Sequence, residues 1–282
     1  MLEYEIPQEL LLEPDEVVAM KTSLPLAKVR RLKQQLAKSF CCANGNILNV
    51  KYKDTLSSGI DELDLCLGGG IPCNQIVELY GPAAAGKTHL CLQTISRLLK
   101  HDQDRNALFI STQERFPIEV LAGKLPNDYL DRLHLEYFLD PSDELHFLQY
   151  GLPALMDEFK YKLIVLDGIA SNSRIIEDPL EKSKHVNSCL AAFRNLFAFH
   201  NLCCIITNQI AEVPSGDESK IIRSSLGLAL ENNINIKIFL DYNRGGNLRL
   251  WKIEKSSHCP HYTGRFAISN EGAHTLSRDD FP

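Results

Sequence analysis

The stretch over residues 75–93, QIVELYGPAAAGKTHLCLQ, limits the possible folds of this 282-residue chain more than any other part of it. It contains an apolar segment over residues 76–80, a loop with the spacing G-x-x-x-x-G-K-T, and an amphipathic segment that begins near Lys87. A strand, a phosphate loop and a helix in this order are the context that the loop motif requires. A plain strand-turn-helix connection would not need all the matching positions, so the sequence predicts a phosphate-binding site.

Each residue type of the loop has a chemical reason to be there. Gly81 and Gly86 allow close backbone approach, so that N–H groups and the helix N-terminus point at phosphate oxygens. The Lys87 ammonium reaches the β- and γ-phosphates of a nucleotide, and the Thr88 hydroxyl coordinates Mg²⁺. We predict that the phosphates contact the whole loop and the first helical turn: Gly81, Pro82, Ala83, Ala84, Ala85, Gly86, Lys87, Thr88 and His89.

Composition excludes several other classes of protein. The net charge of −6 argues against a surface that is basic throughout, so any DNA contact must come from particular segments or from a partner. The nine cysteines form no C-x-x-C spacing, which predicts free thiols in a reducing compartment. The longest apolar runs are too short to cross a bilayer, and residues 1–10 lack the pattern of a secretion signal, so we expect neither a membrane span nor secretion.

The order of predicted elements indicates an α/β fold with a mostly parallel sheet. We predict a helical N-terminal domain over residues 1–43, a linker over residues 44–54 and a core over residues 55–282. Helical spacing covers residues 14–20 and 26–40. In the core, predicted strands over residues 76–80, 108–112, 133–138, 163–167 and 203–208 are separated by predicted helices over residues 88–100, 117–124, 143–159 and 184–200. Three later strands, over residues 234–242, 248–255 and 264–269, end the sheet with antiparallel pairing.

Two further strand ends supply polar groups that suit a nucleotide site. Asp167 follows the apolar run LIVL and would hold Mg²⁺ beside Thr88, although an acid at a strand end is also a common helix N-cap. Asn208 and Gln209 follow the strand over residues 203–208, at the edge of the sheet where ligands bind in open α/β folds. Gln209 is a candidate sensor of the γ-phosphate, and simple strand termination is the alternative.

Several stretches together resemble the RecA-type recombinases of eukaryotes. They are TLSSGIDELDLCLGGGIP, the acid-ended strand, ITNQ, SSLGLALENNINIKIFL and LRLWKIEKSSHCPHYTGRFAISNEG, within residues 55–272. FISTQERFP and SHCP are most similar to the paralogues that assist the strand-exchange protein, in particular the third X-ray-repair cross-complementing subfamily and its fungal counterpart. The resemblance implies a RecA-like P-loop ATPase core with antiparallel C-terminal strands, preceded by a small helical N-terminal domain, and it implies ATP and Mg²⁺ as cofactors.

The chain departs from this family at the position of the catalytic glutamate. Active recombinases carry a Thr-Glu pair after the second core strand, and the matching pair here is Thr112-Gln113. A glutamine cannot accept the proton of the attacking water, so general-base help of roughly 10²- to 10⁴-fold would be missing. Glu114 could substitute only if the strand end bulges, because successive side chains of a strand point to opposite faces. We therefore expect tight ATP binding with a weak, DNA-dependent ATPase activity.

A second departure concerns the adenine. The family's base-stacking arginine corresponds to Val120 here, so stacking would be weaker or supplied by another chain. The resemblance also implies that a segment near the C-terminus caps the ATP of a neighbouring subunit: His258, Cys259 and Pro260. The same run could suggest zinc, but it lacks a second ligand pair at the spacing of a structural site.

Two polar segments, over residues 171–184 and 212–225, stand where the family's DNA-facing loops lie. They mix acids with the basic residues Arg174, Lys182, Lys184, Lys220 and Arg223. Because counterion release favours strongly cationic loops, this mixture predicts weak, salt-sensitive contact with single-stranded or branched DNA, and plain solvated loops are the alternative.

A short aromatic motif matches the pattern by which family members dock on the next subunit. Phe40 and Ala43 form a Phe-x-x-Ala sequence, which suits insertion into an apolar pocket and strand addition to a neighbouring sheet edge. Phe40 would otherwise close the preceding helix.

The resemblance implies a role in homologous recombination repair, in the nucleus with or without a cytoplasmic pool. The expected partners are other recombinase paralogue subunits, together with the filament of the strand-exchange recombinase. Three rival functions remain: an autonomous DNA-dependent recombinase, a P-loop kinase, and a binding module with a vestigial site. Gln113 and the weakly basic segments argue against the first, and intact Lys87, Thr88 and Asp167 argue against the last.

Overall fold

The computed structural model describes residues 15–22, 24–25, 28–29, 54–113, 116, 125–214, 220–242, 248–257, 259–269 and 272–275. The chain divides into two compact units, Met1–Asn49 and Val50–Pro282. This boundary falls inside the predicted linker over residues 44–54. Most of the predicted helix over residues 26–40, the linker up to residue 53 and the predicted helix over residues 117–124 lie outside the described residues, so these assignments stay predictions.

In the first unit, one helix is described. Helix α1 (Asp15–Thr22) agrees with the helical spacing over residues 14–20. Its residue Val18 is fully buried against Val29, and Ala19 and Leu24 pack on the same small cluster. The Thr22 hydroxyl donates to the carbonyl oxygen of Val18 at 2.6 Å, inside the last turn.

The second unit is built on one large sheet. Its described strands, in chain order, are β1 (Thr55–Leu56), β2 (Ile71–Pro72), β3 (Gln75–Gly81), β4 (Asn106–Ser111), β5 (Leu133–Tyr137), β6 (Tyr161–Asp167), β7 (Cys203–Pro214), β8 (Lys220–Ser224), β9 (Ile236–Tyr242), β10 (Leu248–Lys255), β11 (Thr263–Ser269) and β12 (Gly272–Thr275). The described helices of this unit are α2 (Asp61–Cys66), α3 (Lys87–His101), α4 (Asn127–Leu130), α5 (Pro141–His146), α6 (Leu152–Glu158), α7 (Ile169–Ile175), α8 (Pro179–Phe197) and α9 (Gly227–Glu231). A π turn, Phe147–Gly151, joins α5 to α6.

The large sheet is parallel in its middle and antiparallel at one end. The strand order is β12-β11-β10-β9-β3-β7-β6-β4-β5, and β8 pairs with β7 alone. The six strands from β9 to β5 in this order pair in parallel, whereas β9, β10, β11 and β12 pair antiparallel. Strands β1 and β2 form a separate antiparallel pair. The predicted α/β fold with antiparallel C-terminal strands is confirmed.

The central strands are apolar over most of their length because helices cover both faces of the sheet. In β6, Leu163 and Val165 pack with the helix α3 side, and Ile164 and Leu166 pack with the α6 and α8 side. This alternation follows from the two-residue period of a strand. It produces two cores, one on each face.

The carboxyl ends of β3, β6 and β7 lie side by side. Gly81 pairs with Gln209 across the β3–β7 ladder, and Asp167 pairs with Thr207 across the β6–β7 ladder. The parallel register therefore brings the loop after β3 and the polar ends of β6 and β7 to one edge of the sheet.

The predicted loop over residues 171–184 is mostly wrong. Helix α7 runs to Ile175 and α8 begins at Pro179, which leaves only three residues between them. The Asp178 side chain caps α8 by accepting from the N–H groups of Leu180 at 3.3 Å and Glu181 at 3.1 Å. An Asp-Pro pair is a strong signal for the start of a helix. Helix α8 therefore begins at Pro179, before the predicted start at residue 184.

The predicted loop over residues 212–225 is also wrong in large part. Strand β7 continues to Pro214 instead of ending at Asn208, because residues 210–214 pair antiparallel with β8. The single helix predicted over residues 143–159 is interrupted by the π turn. Among the described residues, no helix is both long and apolar enough to cross a bilayer.

Candidate nucleotide site

The loop between β3 and α3 is shaped by two glycines. Gly86 has a φ of 100°, and a Cβ there would lie 2.8 Å from Cδ1 of Ile268. At Gly81, a Cβ would lie 2.0 Å from the carbonyl oxygen of Leu240 in the adjacent strand β9. Because backbone cannot move aside as a flexible side chain can, a side chain at Gly81 would displace the loop. The sequence motif thus reflects both backbone conformation and close packing.

The Lys87 ammonium lies against the backbone of its own loop. Its Nζ donates to the carbonyl oxygens of Gly81 at 2.9 Å and Pro82 at 2.7 Å. Burial lowers the pKa of Lys87, and the nearby carboxylate of Asp167 opposes that shift. The cation is thus held at the mouth of the loop, next to the residues whose N–H groups can face phosphate oxygens.

Asp167 is fixed by two threonine hydroxyls from different elements. The Thr88 hydroxyl, in the first turn of α3, donates to Oδ2 of Asp167 at 2.7 Å. The Thr207 hydroxyl of β7 donates to Oδ1. The carboxylate and the Thr88 hydroxyl form a pair of hard oxygen ligands, which is the chemistry that Mg²⁺ prefers.

Gln113 lies beside the same carboxylate. Gly168, which directly follows Asp167, has a φ of 109°, and a Cβ on it would lie 2.2 Å from Nε2 of Gln113. The glutamine side chain therefore rests on the Gly168 backbone. The neighbouring Thr112 hydroxyl donates to the carbonyl oxygen of Gly168 at 2.7 Å, which ties the end of β4 to the end of β6. Glu114 lies outside the described residues.

Asn208 joins the nucleotide end of the sheet to a buried carboxyl group. Its Nδ2 donates to Oε1 of Glu78 at 2.9 Å and to the carbonyl oxygen of Ser225 at 2.9 Å. Oδ1 of Asn208 accepts from the Ser225 hydroxyl and, at 2.8 Å, from the backbone N–H of Gln209. These bonds fix the position of Gln209 and link it to the residues that follow β8.

Glu78 is a site residue that sequence reasoning missed. It is fully buried in the middle of β3, and burial raises its pKa, while the bond from Asn208 and the charge of Lys237 oppose the shift. A lone glutamate in an otherwise apolar strand, QIVELYG, was the available signal. Asn208, the residue that hydrogen-bonds to this buried carboxyl group, is 130 residues away along the chain. The sequence pattern gives no sign of this contact.

Part of this arrangement lines one cavity of about 290 Å³. The cavity brings together predicted site residues from the loop after β3, the start of α3, the segment just after β4, and the ends of β6 and β7. Phe109 and Phe116, which sequence reasoning did not single out, form part of its wall and meet edge to face with ring centroids 4.7 Å apart. The predicted residues that line it are Ala83, Ala84, Lys87, Thr88, Gln113, Asp167 and Gln209.

Other predicted residues lie elsewhere. Arg174 and Arg223 are exposed, on α7 and β8, and the exposed Lys184 on α8 pairs with Glu181 at 2.7 Å. None of the described basic residues of the two polar segments, and neither Cys259 nor Pro260, lines the cavity. Phe40, Ala43, Val120, His258 and the side chain of Lys220 lie outside the described residues. The roles of these residues in DNA contact, capping and docking stay predictions.

Comparison with known proteins gives one family and several relatives. The family profile described as Rad51 matches residues 52–276, which include every described strand of the second unit. The DNA repair protein rhp57 of Schizosaccharomyces pombe is 24% identical over 78% of this chain and 79% of its own length. The DNA repair and recombination protein RadA is 26% identical in Ignicoccus hospitalis, over 92% of this chain and 85% of the relative, and 26% identical in Aeropyrum pernix, over 80% and 73%.

Proposed function

This chain belongs to the Rad51 family, and from that premise we propose that it is an ATP-binding recombinase paralogue of DNA repair. In this proposal it binds ATP with Mg²⁺ at the end of the parallel sheet, hydrolyses it slowly, and supports the strand-exchange filament as one subunit of a hetero-oligomer. The names of its relatives, which refer to DNA repair and recombination, support this biological setting.

One observation carries the proposal: the bond of 2.7 Å between the Thr88 hydroxyl and Asp167, beside the Lys87 ammonium. A cation, a hydroxyl and a carboxylate at the mouth of a glycine-bounded loop are the groups that hold a nucleotide triphosphate with magnesium. The residues present fit both cofactors. When bound, the metal ion would neutralise charge on the phosphate oxygens.

In this proposal, different residues of the site bind the phosphates, position the Asp167 carboxylate and orient the attacking water. Lys87 and the loop N–H groups bind and orient the phosphates. Thr207 and Thr88 hold the Asp167 carboxylate in place. Gln113 can orient a water through its amide, but it cannot take the proton of that water, so turnover is slow. Such a site binds ATP tightly and hydrolyses it slowly.

The edge of the sheet supports the proposed assembly with other subunits. Strand β5 is the last strand of the order on its side, and it pairs only with β4 among the described residues. Leu135 and Tyr137 on β5 are 42% and 49% exposed, and Leu139 just beyond it is 60% exposed. A strand with one unpaired edge and apolar side chains can accept an extended segment by strand addition. A Phe-x-x-Ala segment, such as the one at Phe40 and Ala43, has the matching chemistry.

The test is to isolate the full chain from its cell with its partners attached. ATP binding and turnover are then measured with and without single-stranded DNA. We expect tight binding, slow turnover and at least one co-purifying paralogue subunit. Vigorous DNA-stimulated turnover together with filaments of this chain alone would instead establish the autonomous recombinase.

The DNA contact is tested in the same assembly. Arg174→Ala combined with Arg223→Ala is expected to weaken the affinity for single-stranded DNA and to reduce its salt dependence, because a complex with fewer phosphate contacts releases fewer counterions. Unchanged affinity would place the DNA contact on other residues. Lys160→Ala, an exposed lysine outside both segments, is the matched control.

A further inference from the structure

A carboxylate without a full set of partners lies inside the helical layer of the second unit. Glu144 in α5 is 0% exposed. Its Oε2 accepts from Nδ2 of Asn172 at 2.8 Å, whereas its Oε1 has no hydrogen-bond partner in the part of the chain that the structure describes. All residues from 125 to 214, which surround it, are described. Burying a carboxylate oxygen without a hydrogen-bond partner costs free energy, so we expect this group to bind a ligand.

Two side chains of α8, of types that can serve as metal ligands, lie near this carboxylate. His185 and Cys189 are 7% and 1% exposed, and they are four residues apart, so they lie on one face of the helix. His185 Nε2 lies 3.6 Å from Oε2 of Glu144 and 3.6 Å from Sγ of Cys189. One oxygen, one nitrogen and one sulfur from the three residues all lie within 4.8 Å of one another.

Two of the three distances fit tetrahedral coordination. Zinc bonds of about 2.0 to 2.3 Å to nitrogen, oxygen and sulfur place neighbouring ligand atoms roughly 3.3 to 3.6 Å apart. The two separations of 3.6 Å around His185 already have this size. A carboxylate, an imidazole and a thiolate form a mixed donor set that suits Zn²⁺ better than Mg²⁺ or Ca²⁺, which prefer oxygen alone.

We propose that Glu144, His185 and Cys189 bind one Zn²⁺ ion. The site is independent of the nucleotide site and of the function proposed for it. Its three protein ligands leave a fourth position for water or for a side chain of a partner.

The surroundings of the three residues have the features of a metal site. Asn172 of α7 holds the Glu144 carboxylate and also donates to the carbonyl oxygen of Phe138 at 3.2 Å, so the ligand is oriented by a second layer of contacts. His185 also lines a surface cavity of about 700 Å³, which gives an ion a path from solvent. The π turn that follows α5 is of a kind often found at functional sites.

A plain ion pair does not account for all three groups. An ion pair between His185 and Glu144 would join only two of the three groups. Cys189 would then share no more than a long hydrogen bond of 3.6 Å with the same His185 nitrogen. A bound metal ion uses the carboxylate, the imidazole and the thiol together.

The experiment uses the full chain, prepared with its partners where these co-purify. The protein is stripped with a chelator and titrated with Zn²⁺, and separately with Co²⁺, whose absorption reports thiolate ligation. We expect one zinc ion per chain, measured by elemental analysis after gel filtration, and a thiolate-to-cobalt absorption band. Substoichiometric zinc in the wild-type chain, or a cobalt spectrum without that band, would overturn the proposal.

Variants assign the ion to this cluster. Cys189→Ser should remove the cobalt band, and Glu144→Gln, which preserves the side-chain shape, should weaken zinc binding by more than the roughly 10- to 100-fold cost of losing an outer partner. Cys91→Ser is the matched control, because Cys91 is also a buried helical thiol but lies in α3, remote from the cluster. Equal zinc content in the wild type and in folded Cys189→Ser and Glu144→Gln would overturn the assignment. If Cys189→Ser does not fold, the wild-type stoichiometry and band and the Glu144→Gln affinity decide the question.

Discussion

Two carboxylates of the second unit, Asp167 and Glu144, differ in how their oxygens are satisfied. Each oxygen of Asp167 accepts from a threonine hydroxyl, from Thr88 or from Thr207. In the described part of the chain, Glu144 has a partner at only one oxygen, although it is more deeply buried. A buried polar group is stable when the fold supplies its hydrogen-bond partners, and a missing partner indicates that a ligand binds at that position.

The two regions also differ in how they are built. The nucleotide end is formed by strand ends whose register is set by backbone pairing between β3, β6 and β7. The Glu144 cluster is formed by side chains of three helices, α5, α7 and α8, packed on one face of the sheet. The first arrangement is fixed by a ladder of hydrogen bonds, and the second depends on how helices pack. The following predictions test whether the two regions act independently.

The largest effect is expected at Gln113. Gln113→Glu would place a carboxylate beside Asp167 and Gly168, where it can accept the proton of the attacking water. We expect ATP turnover of the assembled protein to rise about 10²-fold, the lower end of what a general base contributes. Gln149→Glu makes the same chemical change on the π turn and should leave turnover unaltered. If Gln113→Glu binds ATP but turns it over at the wild-type rate, a missing base is not what limits hydrolysis.

The next effect concerns ATP affinity. Lys87→Ala removes a charged donor to phosphate worth about 1.5 to 3 kcal/mol, so we expect the Kd for ATP to rise about 10- to 100-fold. Calorimetric titration measures it, with Lys160→Ala as the control for loss of an exposed lysine. Zinc content should not change in Lys87→Ala. A fall in zinc content in a folded variant would show that the two regions are coupled.

The smallest effect is a pH dependence of stability at Glu78. Burial raises the pKa of Glu78 above its value of 4.5 in the unfolded chain. Between the two pKa values the folded state binds the proton more tightly, so the free energy of unfolding contributed by this group falls as pH rises above 4.5. Glu78→Gln is neutral at every pH and lacks this decline.

Urea unfolding at a series of pH values checks this prediction. The stability of Glu78→Gln relative to the wild type should increase as pH rises from about 4.5 toward neutrality. Glu177→Gln, at an exposed position on the same unit, is the matched control. A difference between Glu78→Gln and the wild type that is constant over this range would show that the buried carboxyl does not change its proton binding on folding.

Most of the fold could be predicted because strand and helix patterns are local. The strands over residues 76–80, 163–167 and 248–255 agree with β3, β6 and β10 within two residues at each end. The errors arose where polar composition was taken for a loop. Residues 174–184 are polar because the end of α7 and the start of α8 face solvent, and a polar helix face resembles a loop when no apolar stripe is visible.

The candidate nucleotide site could be predicted in part. Gly81, Lys87, Thr88 and Asp167 belong to short motifs whose spacing already carries the chemistry. Glu78 could not be recognised, because a glutamate in an apolar strand has no meaning until Asn208 is brought beside it. Ser225 was missed for the same reason, since its hydroxyl and carbonyl act on Asn208 only after β7 and β8 have paired.

The sequence by itself determined the glycine-bounded loop over residues 81–88, the alternation of strands and helices, and the presence of a glutamine at position 113. These features are local, because a motif of eight residues or a strand of seven fixes its own backbone conformation and chemistry. Only the tertiary structure decided the Glu78–Asn208 pair and the cluster of Glu144, His185 and Cys189. Glu78 is far from Asn208 along the chain, and Glu144 is far from His185 and Cys189, so only the packing of the sheet and its helices brings these side chains together.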